Sequence, residues 1–284
     1  MRSKLKMPEA VYFKDGSVVR FNQLAVKIEM DAVDNDQYFA WLDDMTRAVG
    51  AFTQGASIAE KAGARERPPL NTAVYYDTPD RALLETGALL RTSCNVVTHA
   101  FCAFKMAEDE HGVRNDHRWV FDGDEKRTIQ KAPASPAAAA IVRTLMARRD
   151  VDHPGTYLER THGIDPTSLS PSVALDSYRY TFFAWLDGLD ALRCSIDRYF
   201  VWDMRGPDAY APGTKVPVSE CELAIYPRLS AEISDDPRVV GLIEGLRDSL
   251  VERFSVAPTS LIKYQRAARA LSIPFTERLG SAIP

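Results

Sequence analysis

Several segments of this sequence set a charged side chain in mid-strand among bulky apolar neighbours. In "AVKIEMD", Lys27, Glu29 and Asp31 alternate with Val26, Ile28 and Met30, so a period of two puts the charges on one face of a strand. The same alternation groups Leu89, Arg91 and Ser93 in "LLRTSCNVV", Ala103 with Lys105 in "FCAFKMA", and Asp116, Arg118 and Asp122 in "DHRWVFD". Arg179 stands in "SYRYTFF". Arg193, Ser195 and Asp197 share a side of "LRCSIDRYFVWD", and Glu220 and Glu222 a side of "VSECELAIY". Two chemistries fit such a pattern. Basic side chains from several strands can converge on one polyanion while a carboxylate pair holds a hard cation, or an ordinary amphipathic sheet can turn a charged face to water. Periodicity alone leaves both open.

With "TAVYY" added, about eight strands are expected. Helical periodicity covers 34–51, 135–149, 237–254 and 259–271, with Asp34 and Ser135 as N-caps and Pro136 at the first helical position of the second helix. The stretches 55–70 and 206–216 read as loops. A length of 284 residues with 45% apolar content suits one elaborated globular domain over 1–284. No apolar run approaches the roughly 18 residues of a membrane span, and "MRSKLKMPEA" lacks the apolar core of a signal peptide, so a cytoplasmic protein without a membrane partner is expected. A net charge of −4 argues against general nucleic-acid binding. Cys94, Cys102, Cys194 and Cys221 lie singly and read as buried thiols. His99, His111, His117, His153 and His162 form no ligand pattern, and no phosphate-cradling glycine loop occurs. Phe39 and Trp41 read as core.

The segment "YYDTPDRALLETGALLR" resembles the aromatic-Asp-Thr-Pro motif and following Leu-Arg strand of the CYTH superfamily, the triphosphate tunnel metalloenzymes. That group includes thiamine triphosphatases, inorganic triphosphatases and class IV adenylate cyclases. "AFKM", "SYRYTFFAW", "LRCSID", "ECELAIY" and "APTSLIKYQRA" follow in the matching order, so the resemblance spans residues 24–270. It implies an α+β fold: a closed, eight-stranded antiparallel β-barrel with flanking helices, a tunnel that binds a triphosphate along its axis. Carried over by position, Arg91, Lys105, Arg179 and Arg193 contact phosphate. Arg118 is a further candidate, with Asp122 in place of a nearby glutamate, and Lys263 or Ser260 fills a late position. Glu220 and Glu222, helped by Glu29, hold Mg2+ or Mn2+; these three and Lys105 form the implied catalytic set. The implied activity is metal-dependent hydrolysis of inorganic tripolyphosphate or an organic triphosphate. A degenerate phosphate-binding relative and a class IV adenylate cyclase-like enzyme are the alternatives.

The sequence also departs from that pattern. The first strand of the family reads Glu-x-Glu-x-Lys, where this chain has Lys27, Glu29 and Asp31. Ser93 replaces a second arginine, and Ser195 an aspartate. A serine offers a neutral hydrogen bond where a charge-assisted one is expected.

Overall fold

The computed structural model describes residues 18–22, 25–107, 113–206, 210, 215–226 and 229–276. The N-terminal segment, His111 and most of 206–216 lie outside them.

All strands join one antiparallel sheet: β1 (Val18–Asn22), β2 (Ala25–Glu29), β3 (Ala56–Glu60), β4 (Leu70–Asp77), β5 (Leu89–Asn95), β6 (Ala100–Lys105), β7 (Val113–Val120), β8 (Ser170–Leu186), β9 (Leu189–Asp203), β10 (Val216–Ile225) and β11 (Pro258–Thr259). Their order is β1-β7-β6-β5-β4-β8-β9-β10-β2-β11, with β3 pairing β8 off this path. The expected closed eight-stranded barrel is therefore corrected to an open eleven-stranded sheet. The reason lies at the edge of β2. Its second side is taken by β11, where Pro258 faces Ile28 and Thr259 faces Lys27, and among the described residues β1 pairs with β7 alone. The segment 55–70, expected to be a loop, contributes β3. The 17-residue β8 outruns β4, which pairs with its first half, and its far end from Phe182 to Leu186 is left for β3.

The helices are α1 (Asn35–Phe52), α2 (Ala82–Thr86), α3 (Gly123–Lys131), α4 (Pro136–Ala147), α5 (Pro154–His162), α6 (Pro237–Phe254) and α7 (Lys263–Ala270). Asp34 accepts from the Gln37 backbone N–H at 2.8 Å while the Gln37 side chain accepts from Asp34, a reciprocal cap that fixes the start of α1. Ser135 accepts from Ala138 N ahead of Pro136. Helices α1 and α6 cover one part of the sheet, burying Trp41, Leu42, Leu242 and Leu246 against Ile28, Phe182, Ile196 and Leu223. Phe39 packs at the margin of that core. Helices α3, α4 and α5 cover another part of the same face over Leu90, Cys102 and Phe104. The four cysteines are free and buried. No helix among the described residues is long and apolar enough to cross a membrane.

Candidate functional site

Strand register decides which charged residues meet. Asp197 on β9 faces Arg179 on β8 and Glu220 on β10, and Glu220 in turn faces Glu29 on β2. One step along, Glu222 lies between Ser195 and Lys27. Farther along the sheet Arg91 faces Ala103, which faces Arg118, and Lys105 faces Asp116. Successive pairings through Tyr75 and Val173 put all of these on one face, opposite the face covered by α1 and α3 to α6. Arg193 shares that parity but faces Phe183 and Ala224 and is exposed, apart from the ion pairs described next. Asp122 lies beyond the end of β7, exposed at the N-cap of α3.

The first half of this face is rich in carboxylates, and α7 brings it cations. Helix α7 presents Lys263, Arg266 and Arg269 at intervals of three residues, which keeps them on neighbouring parts of one helix side. Lys263 Nζ bonds Asp197 and lies 2.5 Å from a Glu220 oxygen. Arg266, with a fully buried side chain, lies 3.0 Å from Asp31, 3.5 Å from Glu220 and 3.9 Å from Glu29. It thus bridges Glu29 and Glu220, which stand directly opposite each other on neighbouring strands, an arrangement that is destabilising without a counter-charge. Arg269 lies 2.6 Å from Glu29, and Arg179 grips Asp197 with two bonds of 2.7 Å. Burial opposes ionisation of Asp197, but Arg179 and Lys263 outweigh it and hold the carboxyl well below the usual range. Burial likewise disfavours the Lys263 ammonium, and Asp197 and Glu220 outweigh it, so this lysine stays charged. For Glu222, burial raises the pKa while Lys263, Arg179 and Lys27 lower it further, and the carboxylate form is favoured. Five carboxylates, Glu29, Asp31, Asp197, Glu220 and Glu222, thus meet five cations, Lys27, Arg179, Lys263, Arg266 and Arg269.

The second half is basic. Lys105 and Arg118 lie 3.2 and 2.8 Å from Asp116, the carboxylate between them. Burial pushes the Asp116 pKa up, but Lys105 and Arg118 prevail and bring it to about 2. Arg118 also covers the Phe101 ring at 4.9 Å. Arg91 is partly buried, and its Nε has no hydrogen-bond partner. The imidazole of His99 has its pKa lowered by burial and then by the fields of Arg118, Arg91 and Lys126, which marks the region as positive. Ser93 is buried between Ala73 and Phe101 on the same face.

Between the two halves the face is apolar and α7 lies on it. Ala73, Tyr75, Val173, Leu175, Tyr199 and Val218 pack against Ile262, Tyr264, Ala267 and Ala268. The YYDTP motif anchors this helix. The Asp77 carboxylate accepts from the backbone N–H groups of Thr78, Leu83 and Leu84 at 2.8, 2.9 and 3.0 Å, and from the Tyr264 hydroxyl at 2.8 Å. Thr78 Oγ1 accepts from Ala82 N, so Asp77 and Thr78 together satisfy the open N–H groups of α2. Gly87, at φ +73°, ends α2 in the left-handed conformation and returns the chain to β5 and Arg91. Tyr75 stacks on Tyr264 with centroids 4.8 Å apart. The motif's residues build the face and dock α7 on it.

Sequence reasoning missed Arg266 and Arg269, and it grouped Asp116 with Arg118 without giving it a role. The spacing Lys-x-x-Arg-x-x-Arg in "KYQRAARA" was a readable signal for Arg266 and Arg269. The carboxylates Glu29, Glu220 and Glu222 do not fit a resident divalent ion in this arrangement. Glu220 is held by Lys263 and Arg266, Glu29 by Arg269 and Arg266, and Glu222 is flanked by Lys27 and Ser195. No group of three His, Cys, Asp or Glu side chains suited to a metal occurs among the described residues.

No protein-family model and no curated protein matches the sequence. Among solved structures, a candidate adenylate cyclase from Bacillus halodurans superposes with a TM-score of 0.51 at 13% identity, over 87% of this chain and 97% of the other. A candidate adenylyl cyclase from Hippeastrum, described as having a dominant triphosphatase activity, gives 0.45 at 14% identity over 87% and 96%. One from Vibrio parahaemolyticus gives 0.42 at 11% identity over 88% and 97%. At these identities the first similarity speaks to fold, and it runs through nearly the whole of both chains. The chain therefore shares the fold of the Bacillus halodurans protein.

Proposed function

We propose that this chain binds a triphosphate, inorganic tripolyphosphate or the triphosphate end of a small organic molecule, on the basic half of its open sheet face. Arg91 carries the reading: a partly buried guanidinium whose Nε lacks a partner sits on the same face as Lys105 and Arg118. Two strand spacings, about 10 Å, separate the rungs of Arg91 and Arg118, and Lys105 lies two residues, about 7 Å, along. Three cations on that patch, with Asp116 between two of them, offer a polyanion charge-assisted donors. Arg179 and Lys263, the other two carried-over basic residues near the site, belong to the neutral half, where they serve Asp197 and Glu220. The shared fold with the Bacillus halodurans protein supports the reading.

Hydrolysis with Mg2+ or Mn2+ is the second reading, and Glu222 favours it, since its carboxylate is ionised and on the same face. In that reading Glu29, Glu220 and Glu222 would first have to be freed from the α7 cations. The deciding experiment is calorimetric titration of tripolyphosphate, thiamine triphosphate, ATP and long-chain polyphosphate, with and without each metal, alongside assays of phosphate release and cyclic nucleotide. Binding that persists in chelator and falls at least about tenfold in Arg91→Ala supports the proposal. Binding that needs metal, or that ignores Arg91→Ala and Arg118→Ala together, overturns it.

A further inference from the structure

We infer that Lys263 is the permanent counter-cation of the carboxylate half, holding the place a divalent metal would need, and that this half excludes Mg2+ and Mn2+ while α7 is docked. Two independent observations converge. First, the Lys263 ammonium lies between Asp197 and Glu220, bonded to both, with only 15% of its side chain exposed. It reaches them from α7, which is fixed through Tyr264 to Asp77 and through Arg266 to Asp31. Removing it requires undocking a helix whose Ile262, Tyr264, Ala267 and Ala268 are buried in an apolar cluster.

Second, the rung beside it has lost the donors a metal would use. Glu222 faces Lys27 on one side and Ser195 on the other, with Thr259 beyond Lys27 and Thr181 beyond Ser195, so this rung carries one carboxylate, one cation and hydroxyls. The two departures from the expected pattern at positions 27 and 195 thus fall on the two positions flanking Glu222. A hard divalent ion is held by the number and charge of its oxygen ligands, and here each neighbouring carboxylate is already matched by a basic group of the same chain. A divalent ion entering a balanced cluster adds two positive charges without relief.

The test uses the metal alone on the full chain, so its failure is distinct from failure of triphosphate binding. Free Mn2+ is followed by electron paramagnetic resonance during titration of the parent, Lys263→Ala, and Lys263→Ala with Glu220→Gln. The parent should show no site tighter than millimolar. Lys263→Ala should gain one at least about tenfold tighter, and Glu220→Gln in that background should abolish it. A parent that binds Mn2+ as tightly as Lys263→Ala, or a Lys263→Ala protein that gains nothing, overturns the inference. Should the variant fail to fold, reductive methylation of Lys263 in the parent, read by mass spectrometry, decides. A rate unchanged by millimolar Mn2+ supports the inference, and a rise, reporting a displaced lysine, overturns it.

Discussion

Replacing Asp77 by asparagine tests whether the Asp-Thr-Pro motif builds the fold or performs chemistry. Asp77 is fully buried and takes five donors: Thr78 N, the Thr78 hydroxyl and Leu83 N on Oδ1, Leu84 N and the Tyr264 hydroxyl on Oδ2. An asparagine can keep its carbonyl oxygen on the first three. Its amide NH2 then meets the Leu84 N–H, with which it cannot bond, and the Tyr264 hydroxyl, which can turn to accept from it. The buried Leu84 N–H left unpaired, together with the loss of the charged acceptor for the other donors, gives a loss of roughly 3 kcal/mol. In a domain of this size that lowers the melting temperature by roughly 6–12 °C.

Tyr264→Phe removes only the hydroxyl and its contacts to Asp77 and Ser172, while leaving the stack on Tyr75, so about 1.5 kcal/mol is expected. Because the two substitutions share one bond, the double variant should be more stable than the sum of the singles by about 1 kcal/mol. Urea denaturation followed by fluorescence and circular dichroism measures all four proteins. An Asp77→Asn protein within about 0.5 kcal/mol of the parent, or additive losses in the cycle, would refute the anchoring role. A stable Asp77→Asn protein that had lost ligand binding would reassign the aspartate to the ligand.

Two further outcomes follow from the basic half. Asp116 is depressed to about 2 in the folded chain by Lys105 and Arg118 against an ordinary 3.8, so its contribution, about 2 kcal/mol, is present above pH 4–5 and fades as pH falls toward 2. The stability gap between the parent and Asp116→Asn, from urea titrations at pH 7 and pH 3, should therefore shrink on acidification; a gap independent of pH would contradict it. Ser93→Arg places a third guanidinium near Arg91 and Arg118, beside Phe101, and should tighten tripolyphosphate binding by about tenfold or more, through one charge-assisted contact. Weaker binding in a folded variant would show that the face is shaped around the serine.

The face itself was legible because period-two alternation needs no tertiary information. Lys27 with Glu29, Arg91 with Ser93, and Glu220 with Glu222 each share a side whatever the strand order. Closure was not legible, because it depended on which segment takes the free edge of β2. The two-residue strand Pro258–Thr259 is too short to carry any periodicity. The missed helices failed for related reasons. Helix α3 buries only Ile129, α2 has five residues, and α5 begins after His153, whose ring rather than a hydroxyl or carboxylate accepts from Gly155 N.

The departures at the site were visible one by one, yet their meaning came from register. Read along the sequence, Lys27 and Ser195 are substitutions on strands separated by well over a hundred residues, each open to repair elsewhere. Strand pairing puts both beside Glu222, and it puts Glu29 against Glu220. A rung that would hold three carboxylates in the expected pattern holds one, next to a cation. The opposed pair one step away is bridged by a buried arginine from α7. Like charges set side by side on neighbouring strands repel unless compensated, so a metal, or a basic helix, is what such a sheet requires. With Lys263, Arg266 and Arg269 supplied by the chain itself, the carboxylates of this half have their counter-charges, while Arg91, Lys105 and Arg118 stand in the other half. The same helix thus neutralises one half of the face and leaves the other as the place where an anion would be held.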